Sequence, residues 1–195
     1  MLRVLLVRHG LTHDNVAGIT QGHSQGSLTP LGRAQAAALV RPWVCVQQPW
    51  LASTRMCCAL AFTRAVQGSR LAHARFGVVY CSDLGRCVET LELASAAASE
   101  LEPGAWSLGP APQYLPLLRE RGAGVFEGTP LGTVDAAAAA AGVTTRAFRP
   151  DGGESWADVR ARAAKFLLQC VPRAAAPCRR LTLRSQACFA HPTRI

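Results

Sequence analysis

Apolar residues along this chain gather in short runs separated by polar or glycine-rich stretches, with two different spacings. Residues 2–7 (L-R-V-L-L-V) form a brief apolar run rich in β-formers, which predicts a buried strand. The run ends at Arg8-His9-Gly10, where glycine permits a sharp turn. Residues 11–30 are polar and predict a loop. Thr29-Pro30-Leu31 predicts a helix start, with Thr as cap and Pro in the first turn, and the helix runs over 31–40. Residues 76–80 (F-G-V-V-Y) predict a second buried strand and 83–98 a helix, while the proline-rich stretch 102–116 reads as loop or extended chain. A short alanine helix is expected over 135–141, closed by Gly142. The turn D-G-G-E-S at 151–155 precedes a last helix, whose inward face is predicted to carry Val159, Ala163, Phe166, Leu167 and Cys170. Residues 181–183 (L-T-L) are a late strand candidate.

Strands alternating with helices predict an α/β fold with a largely parallel sheet. Such sheets take ligands at the carboxyl ends of their strands. Arg8-His9-Gly10 stands at such an end, and a phosphate there meets two basic side chains and backbone N–H groups.

The chain has 195 residues and is 49% hydrophobic but only 6% aromatic, enough for one domain whose core leans on Leu, Val and Ala. No apolar run approaches the roughly 20 residues of a membrane helix, and the first residues do not read as a signal peptide. The expectation is a soluble cytoplasmic protein without a membrane partner. The net charge is +9, and Lys165 is the single lysine among 21 basic residues. The arginines are scattered, without a long basic run or interleaved aromatics, so nucleic acid is not the expected partner. An Arg-rich tail over 171–195 leaves polyanion binding as a lesser alternative. Eight cysteines include no C-x-x-C pair, so the usual zinc spacing is absent; no metal or cofactor is expected.

A lone Arg-His-Gly is a weak signal. Here it opens an ordered series: L-L-V-R-H-G-L-T-H-D-N over 5–15, Gln21-Gly22, L-T-P-L-G-R-A-Q-A over 28–36, C-S-D-L-G-R-C-V-E-T over 81–90, R-E-R-G-A-G-V-F-E-G over 119–128 and G-G-E-S-W-A-D-V-R-A-R over 152–162. This series resembles the histidine phosphatase, or phosphoglycerate-mutase-like, superfamily, and within it the TIGAR-type fructose-2,6-bisphosphatase branch. The resemblance implies a three-layer α/β/α sandwich over residues 1–170, with an atypical insertion at about 41–76 and a divergent tail over 171–195.

The residue types suit phosphoryl transfer. Arg8 and Arg86 each offer a planar fork of donors to phosphate oxygens, and a neutral His9 imidazole attacks phosphorus to form phosphohistidine. The resemblance assigns the same roles to these three residues. It also implies a phosphate-pocket position for Asn15, a substrate-loop position for Gln21 and Gly22, and for Glu120 the carboxyl that protonates the leaving oxygen. Glu127 competes with Glu120 for that role. Ser82 and Asp83 are expected to cap the helix carrying Arg86, Glu154 and Ser155 to cap the last helix, and Arg162 to be structural. His13, His23 and His73 are expected to face solvent.

The sequence departs from the family at three places. Leu11 stands where Glu is usual. Gly32 and Ser82 lie 50 residues apart, farther than the family spacing. Where the family has a late Ser-His-Gly, this chain has Ser185-Gln186-Ala187, and its one late histidine, His191, sits in a different setting. The C-terminal part is therefore expected to be truncated or degenerate. The implied activity is hydrolysis of a small phosphate ester such as a sugar bisphosphate; a catalytically impaired phosphate-binding protein and a phosphoglycerate mutase are the alternatives.

Overall fold

The computed structural model describes residues 2–40, 76–100, 111–170 and 181–185. Strand β1 (Leu2–Leu6) leads into a short helix α1 (His13–Ala17) and then α2 (Pro30–Ala37). Strand β2 (Tyr80–Cys81) feeds α3 (Gly85–Ser99), and β3 (Gln113–Tyr114) precedes two 3-10 turns, Pro116–Leu118 and Gly124–Phe126. Helices α4 (Thr133–Ala140) and α5 (Trp156–Cys170) and strand β4 (Leu181–Ser185) complete the order. The architecture is mixed α/β, as the alternation of spacings predicts.

All strand pairing in named strands is parallel. β1 pairs with β4 in the register Leu2 to Leu181 through Leu6 to Ser185, and β2 pairs with β3 through Tyr80–Gln113 and Cys81–Tyr114. Among the described residues these are two separate two-stranded ladders rather than one continuous sheet. The expected strand over 76–80 contracts to Tyr80–Cys81, because only its end finds a partner ladder. β1 is less buried than its apolar run predicts: Leu6 is 50% exposed and Val7 45% exposed.

The predicted loop over 11–30 contains α1. Thr12 caps it: its Oγ1 accepts from the Asn15 N–H, and the Asn15 side chain accepts from the Thr12 N–H. This reciprocal box is the local reason that five residues hold a helical turn. At α2, Thr29 Oγ1 accepts from the Gly32 N–H at 2.9 Å and Pro30 occupies the first turn, as expected.

The core between α2 and α3 is built from small side chains. Val40 and Ala97 are buried, with Leu5, Ala37, Leu39, Phe76 and Ala98 packed against them. Gly10 and Gly32 carry the closest approach. A Cβ at Gly10 would lie 2.5 Å from the Gly32 carbonyl oxygen, and one at Gly32 would lie 2.1 Å from that of Leu11. Gly10 has no positive φ, so its role is this contact rather than the turn freedom the sequence suggests.

Helix α5 docks through Tyr80, whose ring meets Phe166 edge-on at 5.2 Å and whose hydroxyl donates to the Cys170 carbonyl at 2.6 Å. The α5 face turned inward holds Val159, Arg162, Phe166 and Cys170, whereas Ala163 and Leu167 are exposed. That displaces two of the expected apolar positions, because the long Arg162 side chain reaches inward to a cluster of carbonyls. The expected insertion, Phe76 excepted, lies outside the described residues, as do His73, Gln186, His191, the tail's arginines other than Arg184, and the side chains of β4.

Candidate active site

The site forms where β1 ends. His9 is half-buried, and its Nδ1–H donates to the Gly10 carbonyl oxygen at 2.8 Å. That carbonyl has no proton to give, so in the neutral ring Nε2 is the nitrogen left with a lone pair. Burial pushes the His9 pKa down from 6.5 to about 4; the nearby Arg86 and Arg8 charges push the same way, against the opposing bond to Gly10. His9 is therefore neutral across the physiological range. The Gly10 N–H donates to Thr90 Oγ1 at 3.0 Å, and Thr90 donates in turn to the Arg86 carbonyl at 2.7 Å, which ties the histidine segment to α3.

Arg8 is exposed and makes no hydrogen bond or ion pair among the described residues, so its guanidinium is open to a ligand. Arg86 is the opposite case. It is fully buried at 0% exposure, at the second residue of α3. Nη1 donates to the Ser24 carbonyl at 2.7 Å, and Nη2 to the Gly22 carbonyl at 2.8 Å and to Glu120 Oε2 at 2.9 Å. Only Nε lacks a partner. The fork expected to meet phosphate is thus turned onto a loop backbone and a carboxylate.

Gly22 has a φ of +53°, and a Cβ there would lie 2.4 Å from Glu127 Oε1, so the 21–26 loop requires glycine at this point. Gln21 is buried; its amide donates to Thr12 Oγ1, while Oε1 has no partner. The loop in turn caps α3 from outside. Gln25 Oε1 accepts from the Gly85 N–H at 2.9 Å and the Gln25 carbonyl from the Arg86 N–H at 3.3 Å. Ser82 and Asp83 do not provide this cap as expected: the α3 N-cap is Leu84, without a side-chain bond. Asp83 instead forms a two-point ion pair with Arg119, which holds its carboxyl below the usual range.

Glu120 is 54% exposed in its side chain and bonded to Arg86 Nη2, at the rim of the site. Glu127 is committed elsewhere, accepting from the His23 and Ala123 N–H groups at 2.8 and 3.2 Å. Of the two competing carboxylates, Glu120 is the one that faces the buried arginine.

Sequence reasoning missed the frame that holds Glu120. His23, expected to face solvent, is partly buried; its Nε2 donates to the Glu120 carbonyl at 2.9 Å. Glu154 does not cap α5. It accepts from the Gly122 N–H at 2.9 Å and takes a fork from Arg162 at 2.7 and 2.8 Å. That pairing, aided by the Gly122 bond, keeps the Glu154 pKa low. Arg162 also donates to the carbonyls of Leu117, Arg119 and Glu120. Ser155 alone caps α5, accepting from the Asp158 N–H while Asp158 accepts from the Ser155 N–H. The G-G-E-S motif and an Arg eight residues after its Glu were the signals available for this clamp.

Residues 4–44 and 64–177 match the sequence pattern of the histidine phosphatase superfamily, branch 1. This chain belongs to that superfamily. The zebrafish (Danio rerio) protein named fructose-2,6-bisphosphatase TIGAR B is 33% identical over 165 residues, covering 83% of this chain and 50% of its own. The mouse (Mus musculus) fructose-2,6-bisphosphatase TIGAR is 30% identical over 162 residues, covering 83% and 48%. The chain thus spans about half the length of the curated relatives it matches. A solved mycobacterial hydrolase superposes with a TM-score of 0.56 at 26% identity, over 88% of this chain and 65% of its own. In this member of the superfamily His9, Gln21, Gly22, Arg86 and Glu120 gather around one loop, and Arg8 lies close enough to act on the His9 charge. Asn15 spends its side-chain oxygen on the α1 capping box, which leaves its Nδ2 donors for a ligand. β4 ends at Ser185 beside Leu6, so the first residue of the Ser-Gln-Ala stretch closes the strand paired to β1. No described helix is long and apolar enough to cross a membrane, and no described group of His, Cys, Asp and Glu residues is placed to hold a metal.

Proposed function

We propose that this chain hydrolyses a small phosphate monoester through a phosphohistidine on His9. The observation that carries the reading is the His9 ring itself: Nδ1–H held by the Gly10 carbonyl, a pKa of about 4, and two arginines in electrostatic reach. Nε2 attacks phosphorus as the bond to the leaving oxygen breaks, and Glu120 gives that oxygen a proton. Water then attacks phosphorus, giving a proton to the Glu120 carboxylate, and the P–Nε2 bond breaks to release phosphate and return Nε2 to its neutral form. Arg8 and Arg86 neutralise the phosphoryl oxygens, with Asn15 Nδ2 and the Gln21-Gly22 loop completing the pocket. For Arg86 this requires the incoming phosphate ester to displace the Glu120 carboxylate from Nη2; freed from the arginine, Glu120 takes the proton of the monoanionic ester and passes it to the leaving oxygen.

The domain is read as residues 1–170 with a three-layer α/β/α architecture. The gap in the family match between residues 44 and 64 supports an insertion within it. The names of the relatives make a sugar bisphosphate the first substrate to test.

A second reading rests on Gln186, the residue following β4, where the family has a histidine. A pocket lacking that group binds phosphate esters and forms the phosphohistidine but releases it slowly.

Rapid-quench with radiolabelled 4-nitrophenyl phosphate tests both. Acid-labile, base-stable label on His9 that appears and decays within the turnover time is expected. Label that persists supports the second reading. Absence of label in the folded protein, or equal label in His9→Ala, overturns phosphohistidine chemistry.

A further inference from the structure

Two segments distant in sequence clasp each other at the rim of the site, and His23 stands at the clasp. Its backbone N–H donates to Glu127 Oε1 at 2.8 Å, and the same oxygen accepts from the Ala123 N–H at 3.2 Å. Its ring lies against Gly122, where a Cβ would come within 3.2 Å of Cε1. Its Nε2 is 2.9 Å from the Glu120 carbonyl oxygen. A carbonyl only accepts, so this nitrogen carries the proton. The side chain is 33% exposed, and no step of the proposed reaction uses it.

The bond to the Glu120 carbonyl closes a ring around the proton donor. Arg86 Nη2 donates both to the Gly22 carbonyl at 2.8 Å and to Glu120 Oε2 at 2.9 Å. Gly22 immediately precedes His23, and the His23 ring returns to the backbone of Glu120. Glu120 is therefore held at both ends, its carboxylate by Arg86 and its carbonyl by His23. The two holds differ in what happens on binding. An incoming ester breaks the first by taking Arg86 Nη2; the second involves neither the phosphate donors nor the carboxylate, and it stays. Arg162 Nη2 also reaches the Glu120 carbonyl, at 3.2 Å, but it ties Glu120 to α5, whereas His23 ties it to the loop that Arg86 grips.

We propose that His23 is a positioning residue for proton transfer: by holding the Glu120 backbone against the 21–26 loop, it keeps the freed carboxyl at the leaving oxygen. It touches neither the phosphoryl group nor the transferred proton. A misplacement of about 1 Å in a reacting group costs up to ~100-fold in rate. That loss falls on a leaving group that needs the proton and spares one that does not. The proposal rests on Glu120 as the acid in the phosphatase reading of His9.

Single-turnover rapid quench on the full chain tests it, with phenyl phosphate, whose leaving oxygen needs a proton, and 2,4-dinitrophenyl phosphate, whose phenolate departs without one. Release of the phenol is followed in wild type, Glu120→Gln, His23→Ala and His23→Gln. His23→Asn, too short to reach the carbonyl, replaces His23→Ala if urea midpoints show that the alanine variant does not fold. Glu120→Gln is expected to slow phenyl phosphate by about 100-fold or more, the scale of general acid catalysis. His23→Ala is expected to slow it at least about tenfold while slowing the dinitrophenyl ester less than about threefold. His23→Gln, whose amide N–H stands in for Nε2–H, is expected to recover most of the loss. If Glu120→Gln discriminates between the esters but His23→Ala slows both equally, or neither, the positioning role is overturned and Glu120 stands as the acid. A His23→Gln variant as slow as His23→Ala also overturns it, because the bond to the carbonyl is then not what matters. A Glu120→Gln variant that slows both esters alike overturns the acid assignment and this proposal with it. No phenol release from either ester by folded wild type overturns the phosphatase reading itself.

Discussion

Replacing His9 by Asn removes a group whose proton affinity folding changes more than an ordinary contact does. In the unfolded chain an imidazole takes up a proton near pH 6.5; in the folded protein His9 resists it until about pH 4. At about 1.4 kcal/mol for each tenfold change in proton affinity, the difference is worth ~3 kcal/mol when fully expressed. The sign follows from proton counting. Between these two values the unfolded state binds the proton and the folded state does not, so stability falls as pH drops through this window and levels off below it. Above pH 6.5 neither state is protonated and His9 contributes no slope. The lowered carboxyls of Asp83, Glu154 and Asp158 act in the same direction but over a lower range, and they remain in the variant. Urea denaturation near pH 7 and near pH 4.5, on wild type and His9→Asn, isolates the histidine. The wild type is expected to lose ~2 kcal/mol more than the variant over that interval. Nitrogen-15 NMR of the ring is expected to show the Nδ1-H tautomer at neutral pH. Parallel losses in the two proteins, or a ring that titrates near its ordinary value, would refute the argument and remove the basis for a neutral nucleophile.

Two further changes probe the frame around the site. Gly10→Ala forces a methyl group against the Gly32 carbonyl and is expected to destabilise by ~1–3 kcal/mol in thermal or urea unfolding, with no comparable loss at an exposed glycine such as Gly77. Arg162→Ala leaves Glu154 and three carbonyls without their donor and is expected to cost ~3 kcal/mol; Arg162→Lys should recover less than half of this, because one ammonium cannot reproduce the fork, and a full recovery by Lys would show that charge alone matters.

The local grammar of this chain lies in its sequence. Thr29-Pro30 starts α2, Ser155 starts α5, alternation of strand-like and helix-like spacing gives a parallel α/β architecture, and the ordered motifs mark His9, Arg86 and Glu120 for one site. These follow from short-range rules: caps act within one turn, and hydrophobic spacing repeats every two or about 3.6 residues. What lay beyond them are pairings between distant segments. The Thr12–Asn15 box was short-range too, but its Asn at the third position falls outside the usual capping pattern. Tertiary structure alone decided that Arg86 grips the Gly22 and Ser24 carbonyls, that Gln25 caps a helix sixty residues away, and that Glu127 binds backbone while Glu120 faces the arginine. It also decided the direction of the His9 shift, since desolvation depends on what the fold lays over the ring. A sequence lists the donors and acceptors; which of them folding leaves unspent, as at Gln21, is settled only when the chain closes on itself.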